Sequence, residues 1–355
     1  MLSSDFTNSN MGVKGTHRFL KKRGFNPIVF SSPTADSLTT IHVDLLGSHY
    51  PLIIDHFFTK DPTVAAKLIM KKIGEIYSIN CTVLYLDGAR TNEKQATTAR
   101  RLQVREKDLK TLGSLFRLAE EKITHGRTIS SSQFSTIARL SRRTFRFTED
   151  MKNLLIATAE TEGWKIIRCV GEADVHIGSL DLNENAAVIS GDSDLLFYPK
   201  VSNLLRPMKD GSFHLYQKSD ILATLRLSIP QWTSVGIVSG NDYEDNVRGF
   251  GIWTNCKLIR DISGTEITDI VTKYLQLESV SEKNETKITF SIAMQIFTSQ
   301  KQTLVDQPLS LQNPDPLNEM TYKSRLVKLN QSARLNKKAI KAQKGYENAK
   351  SVNVK

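Results

Sequence analysis

The chain has 355 residues, with 48 Lys and Arg against 37 Asp and Glu, a net charge of +11 and 39% hydrophobic residues. That length and composition fit a soluble globular protein with a substantial core, in one large domain or two smaller ones. They exclude a membrane-spanning apolar run, and three widely spaced cysteines in apolar contexts (Cys81, Cys169 and Cys256) exclude a disulfide framework or a zinc site and are expected as buried thiols.

In chain order, residues 1–10 (MLSSDFTNSN) read as a disordered extension with no secretory or transit signal. MGVKGTHRFLKKRG is a short Gly-punctuated start leading into a helix. From about Thr39 to Leu205, strand patterns alternate with helical ones, the sign of an α/β fold with a mostly parallel sheet and flanking crossover helices. TTIHVDLLGS ends its β-branched run at Asp44, and CTVLYLDGAR ends its run at Asp87. The crossover from Asp87 to Trp164 is very long, helical in pattern and interrupted at THGRTISSS. Its stretch from Lys94 to Arg146 carries 13 basic and 4 acidic residues. WKIIRCVGEADVHIGSL then passes from a strand pattern to Glu172 and Asp174, where Ala173, Ile177 and Leu180 recur at helical spacing. AAVISGDSDLLFYPK places an uninterrupted apolar run, expected of a strand covered on both faces, before Asp192 and Asp194. SFHLYQKSDILATLRL reads as a strand followed by a helix, and from Ile229 the chain is helical, with NDYEDNVRGFG as the turn between two helices. After about Gln300 the periodicity fades into the linker DQPLSLQNPDPLNEM, and residues 311–355 carry 10 basic and 3 acidic residues.

Each acidic site has an ordinary reading: a D-x-D turn, a helix first turn that complements the dipole, a polar turn after a helix. Four or five such strand ends in one chain suggest a common acidic pocket, because ligands of open α/β sheets bind at the carboxyl ends of strands. Clustered carboxylates need protonation, a hydrogen-bond network or a cation, and an oxygen-only donor set suits Mg²⁺ or Mn²⁺. Once the two basic segments are set aside, the rest of the chain is net acidic. Basic surface beside an acidic pocket points to metal-dependent chemistry on nucleic acid, in preference to plain solvated helix faces.

These motifs, in this order, resemble the flap endonuclease and XPG-type family of structure-specific 5′ nucleases over most of residues 11–265. MGVKG is similar to the family's amino terminus, and IHVDLLGSHY and YLDGARTNEKQATTARR to its first two acidic motifs. GEADVHIGSL, SGDSDLLFY and SGNDYEDNVRGFG are similar to its E-A-E/D, D-x-D and hairpin elements. The resemblance implies a PIN-like core over residues 11–228 with a basic helical arch at 94–146. It implies a helical, duplex-gripping hairpin region at 229–300, followed by a linker and basic tail at 301–355. It further implies two Mg²⁺ ions, with Mn²⁺ as substitute. Asp44, Asp87, Glu172 and Asp174 would hold mainly one ion, and Asp192, Asp194 and Asp242 mainly the other. Lys94 and Arg101 would stabilise charge on the scissile phosphate. Gly12 would lie near the site, and Arg248, Gly249 and Gly251 would contact DNA phosphates.

The expected partner is DNA with a 5′ flap, nick or other junction, with RNA left open as a substrate. No membrane contact is expected, and the protein is expected to be a nuclear monomer. The departures from the family are ten residues ahead of Met11, the replacement of the usual G-P-K/R by GFGIWTNCKLI, and the lack of a sliding-clamp box. A catalytically dead relative acting as a nucleic-acid-binding or scaffold protein is the alternative. The presence of all seven carboxylates favours the enzyme.

Overall fold

Uninterrupted apolar runs that end on turn-forming residues favour parallel strands buried on both faces, and these set the architecture of the computed structural model, which describes residues 12–33, 39–299, 302–304 and 331. The expected extension at 1–10, Met11, and the expected linker and tail at 301–355 apart from 302–304 and 331 lie outside the described residues. The chain divides into two compact units.

The first unit takes the described residues up to His56, Asp61–Thr97, and those from Glu149 to 304. Helix α1 (Thr16–Lys22) precedes strand β1 (Ile28–Phe30), and β2 (Thr40–Asp44) runs directly into α2 (Leu45–Thr59). Helix α3 (Pro62–Ile76) starts where Asp61 Oδ1 accepts the Thr63 and Val64 amides and Pro62 fills the first helical position. It leads to β3 (Thr82–Leu86). After the insertion of α4 (Gln95–Thr124) and α5 (Ser131–Thr144) come α6 (Glu149–Thr161), β4 (Lys165–Arg168), α7 (Ala173–Ser179) and β5 (Ala186–Ile189). The strands β6 (Asn203–Pro207) and β7 (Phe213–Gln217) form a hairpin followed by α8 (Lys218–Leu225). The chain then turns helical through α9 (Ile229–Val238), α10 (Ile252–Arg260), α11 (Ile267–Gln276) and the short α12 (Glu278–Ser281) and α13 (Ser291–Met294).

The strands form one sheet in the order β1-β7-β6-β5-β2-β3-β4. The run from β6 to β4 is parallel throughout, and β7 and β1 join by antiparallel pairing. Every residue of β3 and β5 is buried, as the sequence pattern requires. Because β2 pairs with β5 on one side and β3 on the other, the connection reverses direction between β2 and β5, and in open α/β sheets ligands bind at the carboxyl ends of strands at such a switch point. Strand β1, three residues between Pro27 and a bend, carries too short a pattern to be read from sequence.

The helices after Ile229 share the sheet's core. Trp232 is fully buried, stacks on Phe197 at 4.4 Å and donates from its indole nitrogen to the Leu196 carbonyl at 2.9 Å. Tyr274, Phe290 and Phe297 belong to the same apolar cluster. Cys169 and Cys256 are buried as expected, whereas Cys81, the last residue of the turn before β3, is only half-buried.

The second unit comprises Phe57–Lys60 and Thr98–Thr148, with Gln331 the one described residue beyond them. Here the basic insertion folds as a helix pair on its own small core of Leu112, Phe116, Ala119, Ile137 and Leu140. The capping box of Ser130 and Gln133 starts α5 where the sequence breaks. Arg105 donates to the Thr144 carbonyl at 2.9 and 2.7 Å, and Arg143 pairs with Asp108 at 2.9 Å. Arg101, Lys107, Lys110 and Arg117 stay exposed.

Candidate metal centre at the carboxyl edge of the sheet

Four adjacent parallel strands deliver acids to one edge. Asp44 ends β2, Asp87 follows β3, Glu172 and Asp174 follow β4, and Asp192 and Asp194 follow β5. Register fixes the first contact: Val43 pairs with Ile189, so the next residues on these strands are Asp44 and Ser190. Asp44 is 5% exposed; its Oδ1 accepts the Gly47 amide at 2.8 Å and its Oδ2 accepts the Ser190 hydroxyl at 2.9 Å. Ser190 Oγ also accepts the Asp192 amide at 3.0 Å, and Asp192 Oδ1 accepts the Asp194 amide at 2.9 Å. This chain of short-range bonds shapes the D-x-D loop. Asp87 Oδ1 accepts the Ala173 amide at 2.7 Å, so it satisfies a free donor in the first turn of α7.

The inner group is Asp174, Asp192 and Asp194, each offering an oxygen within 4.8 Å of the others. Both carboxyl oxygens of the fully buried Asp194, and Asp174 Oδ2, are buried without a hydrogen-bond partner. A buried carboxylate left unsatisfied costs several kcal/mol, and hard oxygens gathered this closely are the donor set that a small divalent cation prefers. The residues therefore fit such an ion. This cluster crosses the partition expected from sequence, because Asp174 stands with the D-x-D pair.

Burial, and then neighbouring negative charge, raise the acids. The Asp194 carboxyl lies well above the usual range through burial and the Asp192 charge. Asp44 is raised well above it by burial and the Asp87 charge. Asp192 is pushed up to about 7 by burial and the Asp174 charge, Glu172 to about 7 by burial, and Asp87 is raised by burial.

Lys94 enters this group. Its ammonium lies 2.9 Å from Glu172 Oε2 and 3.7 Å from Asp174 Oδ2, with its side chain 12% exposed, and sits 4.8 Å above the ring of Tyr243. Burial alone would depress it, but the charges of Asp174, Glu172, Asp192 and Asp242 raise it well above the usual lysine value. Arg101, the other half of the expected basic pair, belongs to the second unit and is exposed there.

Asp242 is half-buried in the loop after α9, and its carbonyl accepts the Thr97 hydroxyl at 2.8 Å. That loop is built by Asn241, which donates to the Gly236 and Ile237 carbonyls and accepts the Tyr243 and Glu244 amides at 2.9 Å. Tyr243 then donates to Glu172 Oε2 at 3.1 Å. Arg248, Gly249 and Gly251 are all exposed in the turn before α10. Gly249 has φ +87°, which favours glycine, whereas Gly251 has an ordinary φ of −87°.

Gly12 reaches the centre from the amino terminus. It has φ +74°, and a Cβ there would fall 2.2 Å from Asp192 Oδ1 and 2.8 Å from the Asp194 amide nitrogen. Lys14 and Ser193 fasten the segment, through Lys14 N to the Gly240 carbonyl at 3.3 Å and Ser193 Oγ to the Val13 carbonyl at 3.2 Å. Gly12→Ala is thus expected to displace the D-x-D loop or the amino-terminal segment. It should lower stability by about 1–3 kcal/mol and weaken Mn²⁺ binding, and a variant with wild-type melting and Mn²⁺ affinity would contradict this packing.

Sequence reasoning missed Ser190, Asn241, Tyr243 and Gln302, the last of which meets Glu172 at 3.1 Å. Ser190 and Asn241 carry a readable signal, being Ser and Asn two residues before a residue whose amide they accept. Tyr243 and Gln302 carry none.

No protein-family model matches the chain. The chain is 28% identical over 221 residues to single-strand DNA endonuclease 1 of Oryza sativa subsp. japonica, covering 60% of this chain and 31% of that protein. It is 32% identical over 144 residues to flap endonuclease 1-B of Oryza sativa subsp. indica, covering 38% of this chain and 34% of that one. Against exonuclease 1 of Danio rerio it is 27% identical over 210 residues, covering 57% and 24%. The chain thus spans about a third or less of the length of these curated relatives. Among solved structures, flap endonuclease-1 from Methanococcus jannaschii aligns over 87% of this chain and 96% of that one, at 16% identity and a TM-score of 0.46.

Proposed function

Because this chain is a sequence relative of the flap endonuclease and XPG-type 5′ nucleases, we propose that it is a metal-dependent, structure-specific 5′ nuclease that hydrolyses phosphodiester bonds in branched or nicked DNA. The observation that carries the reading is Asp194, fully buried, with neither carboxyl oxygen partnered, beside Asp174 and Asp192.

Asp174, Asp192 and Asp194 would hold a divalent cation, and Asp44, Asp87, Glu172 and Asp242 would complete a two-ion centre, in part through water. Mg²⁺ is the proposed ion, with Mn²⁺ as substitute; when bound, such ions supply an activated water and stabilise the departing 3′ oxygen. The protein's own contribution is orientation and charge. Ser190 and the Gly47 amide hold Asp44 in place, and Asp87 is held by the amide of Ala173. Lys94, paired with Glu172 and Asp174 in the present structure, has a substrate phosphate as its alternative anionic partner. Arg101 is proposed to add charge to that phosphate. Gly12 shapes the loop that carries Asp192 and Asp194. Arg248 and the backbone amides around Gly249 and Gly251 are proposed to contact duplex phosphates, and the exposed basic face of the insertion to add salt-dependent affinity.

Lys94→Met keeps the stem and removes the charge. Single-turnover cleavage should fall by about 10²–10³-fold while DNA affinity changes by less than about threefold. A proportional loss of affinity with unchanged single-turnover cleavage would leave Lys94 as a binding cation only.

No helix of the described residues is long and apolar enough to cross a membrane; a nuclear site of action and a monomeric state accord with the reading. The function is tested by one gel comparing labelled 5′-flap, bubble, nicked duplex and single-stranded DNA and RNA, with Mg²⁺ and with EDTA. Cleavage confined to Mg²⁺ lanes and strongest on flap or nicked DNA is expected. RNA-selective cleavage, or binding without cleavage, would overturn it.

A further inference from the structure

The described chain beyond α13 returns to the acidic centre. Thr303 N donates to Glu93 Oε1 at 2.7 Å, the Thr303 carbonyl accepts the Asn92 amide at 2.9 Å, and Leu304 forms a β-bridge with Thr91. These contacts tie residues 302–304 to the segment that immediately precedes Lys94. They also deliver the Gln302 side chain to Glu172, 130 residues away in sequence.

Gln302 holds Glu172 at two points. Its Oε1 accepts the Glu172 amide at 3.0 Å, and its Nε2 donates to Glu172 Oε2 at 3.1 Å. Glu172 is the residue that opens α7 and has no side-chain capping bond of its own. Its amide is one of the donors that a helix start leaves free, so Gln302 and Asp87 together satisfy successive amides, those of Glu172 and Ala173. Three groups converge on Glu172 Oε2: the Lys94 ammonium, the Tyr243 hydroxyl and the Gln302 amide. Of these three, Gln302 also grips the main chain, and it is neutral, so it orients the carboxylate without cancelling its charge. Gly171 leaves the room for this contact, since a Cβ there would fall 2.1 Å from Gln302 Oε1.

We infer that Gln302 is a positioning residue that fixes the backbone and carboxylate of Glu172 for metal binding. The inference rests on the metal-dependent nuclease reading above. Partners one step removed from a metal commonly change affinity or activity by about 10–100-fold when removed.

The test uses the full chain and Mn²⁺ alone, by calorimetry, with hydrogen-exchange mass spectrometry over the peptide containing Glu172. Gln302→Met keeps the length and removes both hydrogen bonds. It should bind Mn²⁺ about tenfold more weakly, exchange the Glu172 amide faster, and keep its overall fold. Gly171→Ala should push Gln302 aside and reproduce the effect, and the double variant should be no worse than either single one, since both break one contact. Unchanged Mn²⁺ affinity in Gln302→Met, even with faster exchange, would reduce Gln302 to a structural tie and overturn the inference. Asp194→Asn separates the two readings. If it loses Mn²⁺ binding while Gln302→Met retains it in full, the role of Gln302 alone fails. If the wild type binds no Mn²⁺, or Asp194→Asn binds it equally well, the metal-centre reading fails and the inference with it.

Discussion

Replacing Asp194 by Asn is expected to give a folded protein whose Mg²⁺-dependent cleavage is reduced by at least about a thousandfold, or about 4 kcal/mol of transition-state stabilisation. Asp194 is fully buried and its carboxyl is raised well above the usual range by burial and the Asp192 charge. In the absence of a cation it therefore resembles a neutral acid, which an amide replaces at nearly constant shape. Melting in EDTA should change by no more than the equivalent of about 1 kcal/mol. DNA binding should persist, because losing an anion reduces repulsion of the phosphates. Single-turnover cleavage and an EDTA melt decide it, and a variant that cuts at the wild-type rate would remove Asp194 from the centre.

The second large effect falls on the fold that presents the site. Asn255 is fully buried, and its amide donates to the carbonyls of Val238 at 2.8 Å and Phe250 at 2.9 Å while its oxygen accepts the Tyr274 hydroxyl at 2.8 Å. One side chain thus ties the end of α9, the turn carrying Arg248 and Gly249, and α11. Asn255→Leu strands the Tyr274 hydroxyl and two carbonyls in a buried site. The expected loss is about 3–5 kcal/mol, and at roughly 2–4 °C per kcal/mol for a large domain it should be plain in a melt. A melting temperature within a degree or two of wild type would show that the turn does not depend on this knot.

The fold was legible where the physics is local. A strand covered on both faces must be an unbroken apolar run, so β3 and β5 and the acids that follow them stand out in the sequence, while β2 is marked by its β-branched run into Asp44. The helix starts at Ser130 and Ser228 carry readable capping boxes. Arrangements set by distant partners were less accessible. The placement of Asp174 with Asp192 and Asp194 depends on side-chain directions at two strand ends, and the pairing of Lys94 with Glu172 joins residues on either side of the whole basic insertion. Gln302 falls where periodicity has already faded into what reads as a linker. A polar residue there is indistinguishable in sequence from a solvated one, yet it is bonded to Glu172.

Calorimetric titration of metal-free protein with Mg²⁺ or Mn²⁺, in two buffers of different ionisation heat, reports directly whether these carboxylates form a divalent-metal centre. Glu172 and Asp192, both pushed up to about 7 by burial, retain protons that ordinary carboxylates have lost, and burial also raises Asp44 and Asp194 well above the usual carboxylate range. A carboxyl raised in the folded state contributes stability below its unfolded value and loses it as pH rises through its folded value. For Glu172 and Asp192 that window runs from the ordinary 4.5 and 3.8 up to about 7. A cation should reverse the loss by displacing those protons. A metal centre gives saturable binding at pH 7 with release of about one proton or more, affinity that strengthens as pH rises from about 6 to 8, and loss of the signal in Asp194→Asn. An absence of saturable heat, or an Asp194→Asn titration indistinguishable from wild type, would contradict it.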